Sequence, residues 1–260
     1  MKVKIGNILV DNVTSGEAIE KIENFIKNRK PTLVITPNAD HVVMVREDAL
    51  FLEIYEKADL VLADGMSLIF ASRLLKTPIK EKISGSDLFP LLCEVAAQKG
   101  HRVFFLGGQP GACVKTAENM KLKYQNLIVA GTYSPPFGFE HDKHEMNKIN
   151  EMIKQANPDI LFVGLGSPKQ EKWIYQNYNE IAVPVSIGIG ATFEFYSGMV
   201  KRAPRWMQRC GLEWFWRLMK EPRRLWKRYL IDDTAFIWLI IKQWLNTDKR
   251  NDSMSSRNDS

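Results

Sequence analysis

Four stretches of this 260-residue chain place small or polar residues directly after a short apolar run. They are Thr36-Pro37-Asn38-Ala39-Asp40, Ala63-Asp64-Gly65, Gly107-Gly108-Gln109-Pro110-Gly111 and Gly164-Leu165-Gly166-Ser167-Pro168-Lys169-Gln170. Glycine after a strand lets the backbone approach a diphosphate while the next helix offers free N–H groups and the positive end of its dipole. Gly107, Gly108, Gly164 and Gly166 are therefore candidates for a nucleotide site, although any tight strand-to-helix turn can also demand glycine. Neither loop satisfies G-x-x-x-x-G-K-[ST] or G-x-G-x-x-G, which argues against an ATPase P-loop and a dinucleotide fingerprint. Asp64 can take a proton from a substrate hydroxyl, or it can cap the helix that follows it. Asn38 and Asp40 pose the same choice, and Thr36 is either an active-site or a simply buried hydroxyl. Lys82, Lys169 and Lys172 are cations suited to phosphate. Gln170 and Glu171 open a helix and can reach ligand hydroxyls, while an early Glu also offsets the helix dipole. The core carries no Asp-x-Asp of the kind that holds a divalent cation on a diphosphate, so neither metal nor other cofactor is expected. Leaving-group charge then falls to N–H groups and cationic side chains.

The elements that must position these residues follow from hydrophobic patterning. Residues 2 to 10 alternate as a strand, and Thr14 with Glu17 forms a capping box that opens a helix through about residue 28. Apolar runs at 33–35, 60–62, 103–106, 160–163 and 185–187 read as buried parallel strands, nearly all leading through a polar loop into a helix. A fifth loop, Gly188-Ile189-Gly190-Ala191-Thr192, follows the last of them. This alternation predicts an α/β fold, a Rossmann-like parallel sheet with helices on both faces, plus a C-terminal basic-aromatic helical appendage. Ligands of such sheets bind beyond the carboxyl ends of the strands.

The net charge of +6 is unevenly spread. Residues 1–200 carry 22 Lys/Arg against 23 Asp/Glu, and residues 201–230 carry 10 against 2. Six of the seven tryptophans also lie beyond residue 200, which places a change of physical task there. The expected division is an α/β domain carrying the candidate nucleotide site over 1–200, a helical membrane-docking appendage over 201–246 and a disordered polar tail over 247–260. Basic clusters alternating with aromatics suit anionic lipid head groups. Nucleic-acid binding and a helical pair packed on the core are the competing readings, with membrane contact preferred and no nucleic-acid partner expected. The segment Ala235–Leu245 is too short to cross a bilayer but can lie on its surface. Three dispersed cysteines and the lack of an export signal point to a reducing, cytoplasmic compartment.

Taken in order, TPNADHVV, ADG, SGSDL, FFLGG, VGLGSPKQE, IGATFEFYSGMVKRAPRWMQ and GLEWFWRL-x-x-EPRR resemble the WecG/TagA/CpsF glycosyltransferase family over about residues 5–230. The resemblance implies an inverting, metal-independent transfer of a hexose or N-acetylhexosamine, N-acetylmannosamine foremost, from a UDP-sugar. The acceptor it implies is an undecaprenyl-diphosphate-linked sugar in teichoic acid, common antigen or capsule synthesis, met at the inner face of the cell membrane. By motif it makes Asp64 the base, Thr36 and Asn38 part of the active-site loop, and Gln170 the residue facing the sugar. Arg217, Arg224 and Arg228 match basic positions thought to clamp the lipid diphosphate. Lys82 stands where the family often has Arg, and a Lys keeps the charge but loses the bidentate fork. Two other classes remain as rivals: a nucleotide-binding oxidoreductase, and a non-enzymatic membrane-binding module.

Overall fold

In the computed structural model, residues 1–220, 222 and 233–258 are described. A hairpin, β1 (Lys2–Ile5) and β2 (Ile8–Asp11), precedes α1 (Ser15–Asn28). Then come β3 (Thr32–Ile35), α2 (Ala39–Met44), α3 (Ala49–Lys57), β4 (Leu60–Val61), α4 (Met66–Leu74) and α5 (Gly85–Lys99). The second half adds β5 (Arg102–Gly107), α6 (Ala112–Lys123), β6 (Ile128–Tyr133), α7 (Lys143–Ala156), β7 (Ile160–Gly164), α8 (Lys169–Ile181), β8 (Val185–Gly188) and α9 (Thr192–Ser197). Among the described residues three C-terminal helices follow: α10 (Arg205–Arg209), α11 (Glu213–Lys220) and α12 (Asp233–Asn258). Six strands form one parallel sheet in the order β4-β3-β8-β7-β5-β6.

The continuous apolar runs arise because both faces of this sheet are covered. Leu33, Ile35, Phe104, Leu106, Leu161 and Val163 point into one core, shared with the hairpin, α2, α3 and α8. Their alternate neighbours Val34, Phe105, Ile160, Phe162 and Ile187 point into the other, shared with α1, α5 and α6. There Phe89 meets Phe162 and Phe105 edge-on, at centroid distances of 4.9 and 5.4 Å. The capping box at α1 is present, Glu17 N–H donating to Thr14 Oγ1 and Thr14 N–H to the Glu17 carboxylate.

Two elements differ from the sequence reading. Residues 2–10 are not one strand: Gly6, at φ +58°, turns the chain so that Ile5 pairs with Ile8 in an antiparallel hairpin. The Gly-Asn pair between two alternating runs is a two-residue hairpin signal. The edge strand β6 was not expected, because its half-buried IVAGTY lacks the apolar run of a central strand.

The C-terminal helices make extensive contact with the α/β unit. On α12, Phe236 and Ile240 are buried in the core that contains α2, and Leu239 and Trp244 pack beside them. Gly6 N–H donates to Gln243 Oε1 (2.8 Å), and Gln243 Nε2 donates to the Lys4 carbonyl (3.1 Å). The opposite face leaves Ile237, Trp238, Ile241 and Leu245 exposed. One face of the segment expected on a membrane surface therefore packs on protein, and the other is apolar and open. The helix also continues across 247–258, where composition predicts disorder, since extending a formed helix adds a hydrogen bond for each residue fixed. Among the described residues no helix is long and apolar enough to cross a membrane.

Candidate active site

Three strand ends, β3, β4 and β8, converge with the N-terminus of α8. Thr36, at the end of β3, is buried and donates through Oγ1 to the Gly188 carbonyl (3.3 Å). Gly85, at the start of α5, must be glycine because a Cβ there would stand 2.9 Å from Ile189 Cα and 3.4 Å from Thr36 Oγ1. Gln170 bridges the same loops: Gly190 N–H donates to its Oε1 (3.1 Å) and its Nε2 donates to Glu171 Oε1 (2.7 Å). A Cβ on Gly188 would lie 2.7 Å from Gln170 Nε2, so the glycine admits that side chain. Both ends of the Gln170 amide are thus engaged by protein, which fixes its orientation. The Glu171 carboxyl is fully enclosed, its Oε2 has no partner among the described residues, and burial raises its pKa against the opposing bond from Gln170.

Asp64 follows β4, held by its backbone N–H donating to the Pro37 carbonyl (2.8 Å). It does not cap α4. Gly65 occupies the cap position at φ +99°, with no side-chain cap bond. The capping explanation for Asp64 is thereby removed, whereas Asn38 does cap α2, its side chain accepting from His41 N–H (3.3 Å). Asp40 lies buried in the first turn of α2. Asp64 keeps partial solvent access, yet burial pushes its carboxyl up to about 7; Lys82 and Arg202 pull it down, and Glu213 and Asp87 push it up. A carboxylate with that affinity is suited to accept a proton near neutral pH. Nearby Tyr55 hydrogen-bonds His41 Nδ1 (2.7 Å), and burial, then Glu171 and Asp64, raise its phenol well above the ordinary range.

Lys82 is not a free phosphate ligand here, since its Nζ lies 2.8 Å from Asp87 Oδ2. Asp87 also receives Arg202 Nη1 at 2.8 Å, and Arg202 Nε donates to Glu213 Oε1 at 3.0 Å. Burial works to raise the Asp87 carboxyl, but Arg202 and Lys82 outweigh it and bring it down to about 2. Asp87, Arg202 and Glu213 were given no individual role by sequence reasoning. They lie within SGSDL, KRAPRW and GLEW, and only the fold brings those segments together.

The glycine loops divide. A Cβ on Gly107 would meet the Gly164 carbonyl oxygen at 2.4 Å, and Gly108 N–H donates to that same oxygen (2.8 Å). A Cβ on Gly164 would meet Phe193 Cδ2 at 2.8 Å. These three glycines serve close packing of β5, β7 and α9. At Gly166 (φ +77°) and Gly190 (φ +55°) nothing stands within 4 Å of a Cβ, so they border open space. Lys169 is paired with Glu140 and lies over the rings of Phe137 and Phe139. Lys172 is paired with Asp48. Among the described residues no three His, Cys, Asp or Glu side chains gather as metal ligands. Arg224 and Arg228 lie outside the described residues, as does the side chain of Arg217 on α11.

A sequence model described as "Glycosyl transferase WecG/TagA/CpsF family" matches residues 3–250. The N-acetylglucosaminyldiphosphoundecaprenol N-acetyl-beta-D-mannosaminyltransferase of Bacillus subtilis (strain 168) is 34% identical over 227 residues, covering 87% of this chain and 86% of the relative. The protein of the same name from Bacillus spizizenii is 33% identical, over 79% of this chain and 77% of its own. That from Staphylococcus aureus (strain MW2) is 29% identical, over 86% and 87%.

Proposed function

The chain belongs to the WecG/TagA/CpsF glycosyltransferase family, and from that premise we propose that it moves N-acetylmannosamine from UDP onto N-acetylglucosaminyl-diphospho-undecaprenol. The names of its relatives support the transferred sugar and the lipid-linked acceptor. The observation that carries the chemistry is the Asp64 carboxyl, freed from capping by Gly65 and pushed by burial to about 7. In the transfer, Asp64 takes the proton of the acceptor hydroxyl, whose oxygen bonds to the anomeric carbon as the bond from that carbon to the UDP oxygen breaks. Attack opposite the leaving group inverts the anomeric centre. The departing diphosphate is met in the open space at Gly166 and Gly190 and its charge is balanced by cationic side chains, without a metal.

The appendage is read as a membrane-docking surface at the inner face of the cell membrane. Its support is the run of exposed apolar side chains: Trp206, Trp214, Phe215 and Met219 on α10 and α11, and Trp238 on α12. The residues Arg217, Arg224 and Arg228 then meet the lipid diphosphate.

The test is UDP release from a panel of UDP-sugars in EDTA, with and without the lipid-linked acceptor, for the wild type and Asp64→Asn. Acceptor-dependent release from UDP-N-acetylmannosamine, lost in the variant, is expected. Release in full by Asp64→Asn would reject the base, and release only with divalent metal would reject the metal-free mechanism.

A further inference from the structure

The charged chain Lys82–Asp87–Arg202–Glu213 joins two parts of the molecule that the sequence separates by more than a hundred residues. Lys82 and Asp87 belong to the loop and first turn that open α5, where Asp87 N–H also donates to Ser84 Oγ (3.1 Å). Glu213 opens α11. Arg202 lies between them, its side chain only 18% exposed, and its planar fork spends one nitrogen on each carboxylate. Two further contacts seat the same helix pair at this mouth. Trp216 Nε1 donates to the Lys201 carbonyl (3.1 Å), beside Arg202. Gly211, in the turn between α10 and α11, packs so tightly on α4 that a Cβ would stand 2.9 Å from Met66 Cβ, two residues past Asp64.

We propose that Arg202 is a latch and a positioning residue for the transfer step: by bridging Asp87 and Glu213 it couples the seating of α11 to the charge balance around Asp64. This rests on the reading of Asp64 as the base. Among the described residues, the charged and titratable groups acting on or acted on by Asp64 are Lys82 before α5, Asp87 on α5, Arg202 after α9, Glu213 on α11 and Tyr55 on α3. Two of the five come from the C-terminal segment. Lifting α11 away takes Glu213 with it, lowers the proton affinity of Asp64, and leaves Arg202 with a single partner. A base of full strength is then assembled only when the appendage is seated, which suits an enzyme whose acceptor is lipid-borne.

Glu213→Gln removes a negative charge and lowers the pH at which Asp64 ionises, so the acid limb of the turnover profile moves down. Arg202→Gln removes a positive charge and moves the limb up. Each shift is expected to be about half a pH unit or more. Arg202→Lys keeps the charge without the two-pronged reach, so it restores the position of the limb while turnover stays depressed. A purely structural role would lower turnover at every pH and leave the limb unmoved.

The same full-length variants, labelled with 13C at aspartate Cγ and assigned through Asp64→Asn, report the Asp64 titration without substrate. Displaced titration in Glu213→Gln together with loss of turnover in Asp64→Asn supports both latch and base. Displaced titration with turnover retained in Asp64→Asn keeps the electrostatic coupling but removes the base, and with it the latch's role in transfer. An undisplaced titration in Glu213→Gln overturns the latch whatever the activity. Should Arg202→Gln fail to fold, Glu213→Gln decides alone.

Discussion

On the β4 side, Asp64, Lys82, Asp87, Arg202 and Glu213 stand within electrostatic reach of one another, whereas at β5 and β7 the glycines pack closely against neighbouring backbone and Phe193. The first region holds charge at a cost to stability and the second spends its glycines on fit. A glycine after a strand is therefore no guide by itself to open space. Asp64 sits where the helix cap falls to Gly65, so its carboxyl makes no cap bond and burial raises its proton affinity against the pull of Lys82 and Arg202.

The largest expected effect lies on the charged side. Asp64→Asn keeps the side-chain volume and removes the base, so turnover should fall by about 10²- to 10⁴-fold while donor affinity changes little. Single-turnover kinetics beside a UDP-sugar binding titration would separate the two. Equal losses in both would assign Asp64 to donor binding.

On the packed side the expected effect is on folding. In Gly107→Ala the new methyl meets the Gly164 carbonyl at 2.4 Å, on a residue already at φ +112°. Strain and overpacking together should cost about 2 to 5 kcal/mol, lowering the melting temperature by roughly 5 to 15 °C. A calorimetric midpoint unchanged from wild type would mean that β5 and β7 can separate freely at their ends, and the contrast between the two regions would collapse.

Asp64 also links the charged side to stability. The folded carboxyl holds its proton to about 7, and the unfolded one releases it near 3.8. Between those values the folded state binds more protons, so this group makes stability fall as pH rises through that window. The loss is at most about 4 kcal/mol, less for residual solvation. Asp87 acts in the opposite sense: its depressed carboxyl contributes stability that is present above 3.8 and lost as pH falls toward 2. Asp64→Asn should thus melt several degrees higher than wild type at pH 8 and at nearly the same temperature at pH 4, despite losing its activity. Equal melting differences at both pH values would show that Asp64 ionises as an ordinary surface carboxylate.

How far these regions were legible follows from what each signal is made of. The strands at 33–35, 60–62, 103–106, 160–163 and 185–187 were visible because burial on both faces leaves unbroken apolar runs, and Thr14 with Glu17 marked the start of α1. The edge strand β6 has one half-solvated environment and left no such run. Asp64 could be singled out by its place after a strand, but that it leaves α4 uncapped is visible only in the fold, where Gly65 takes the cap position. The division of the glycines into closed and open was invisible, because it depends on Phe193 and Gly164 approaching from distant parts of the chain. Arg202, Asp87 and Glu213 carried no local signal, because only the fold brings them into one chain.

Gly166 offers the smallest and sharpest test of the contrast, because it belongs by sequence to the glycine loops and by geometry to the open mouth. A methyl there meets nothing within 4 Å, so Gly166→Ala costs only the strain of φ +77°, about 1 kcal/mol. Its carbonyl accepts the Gln170 N–H (2.9 Å), which ties the loop to the first turn of α8. If a diphosphate rests there, the methyl intrudes on it, and KM for the UDP-sugar should rise several-fold with the melting temperature down by only a few degrees. Gly107→Ala should do the reverse, losing stability with KM for the folded fraction unchanged. Should Gly166→Ala leave KM unaltered, the donor is displaced toward Gly190, the other open glycine of the mouth, and Gly190→Ala would then carry the rise in KM.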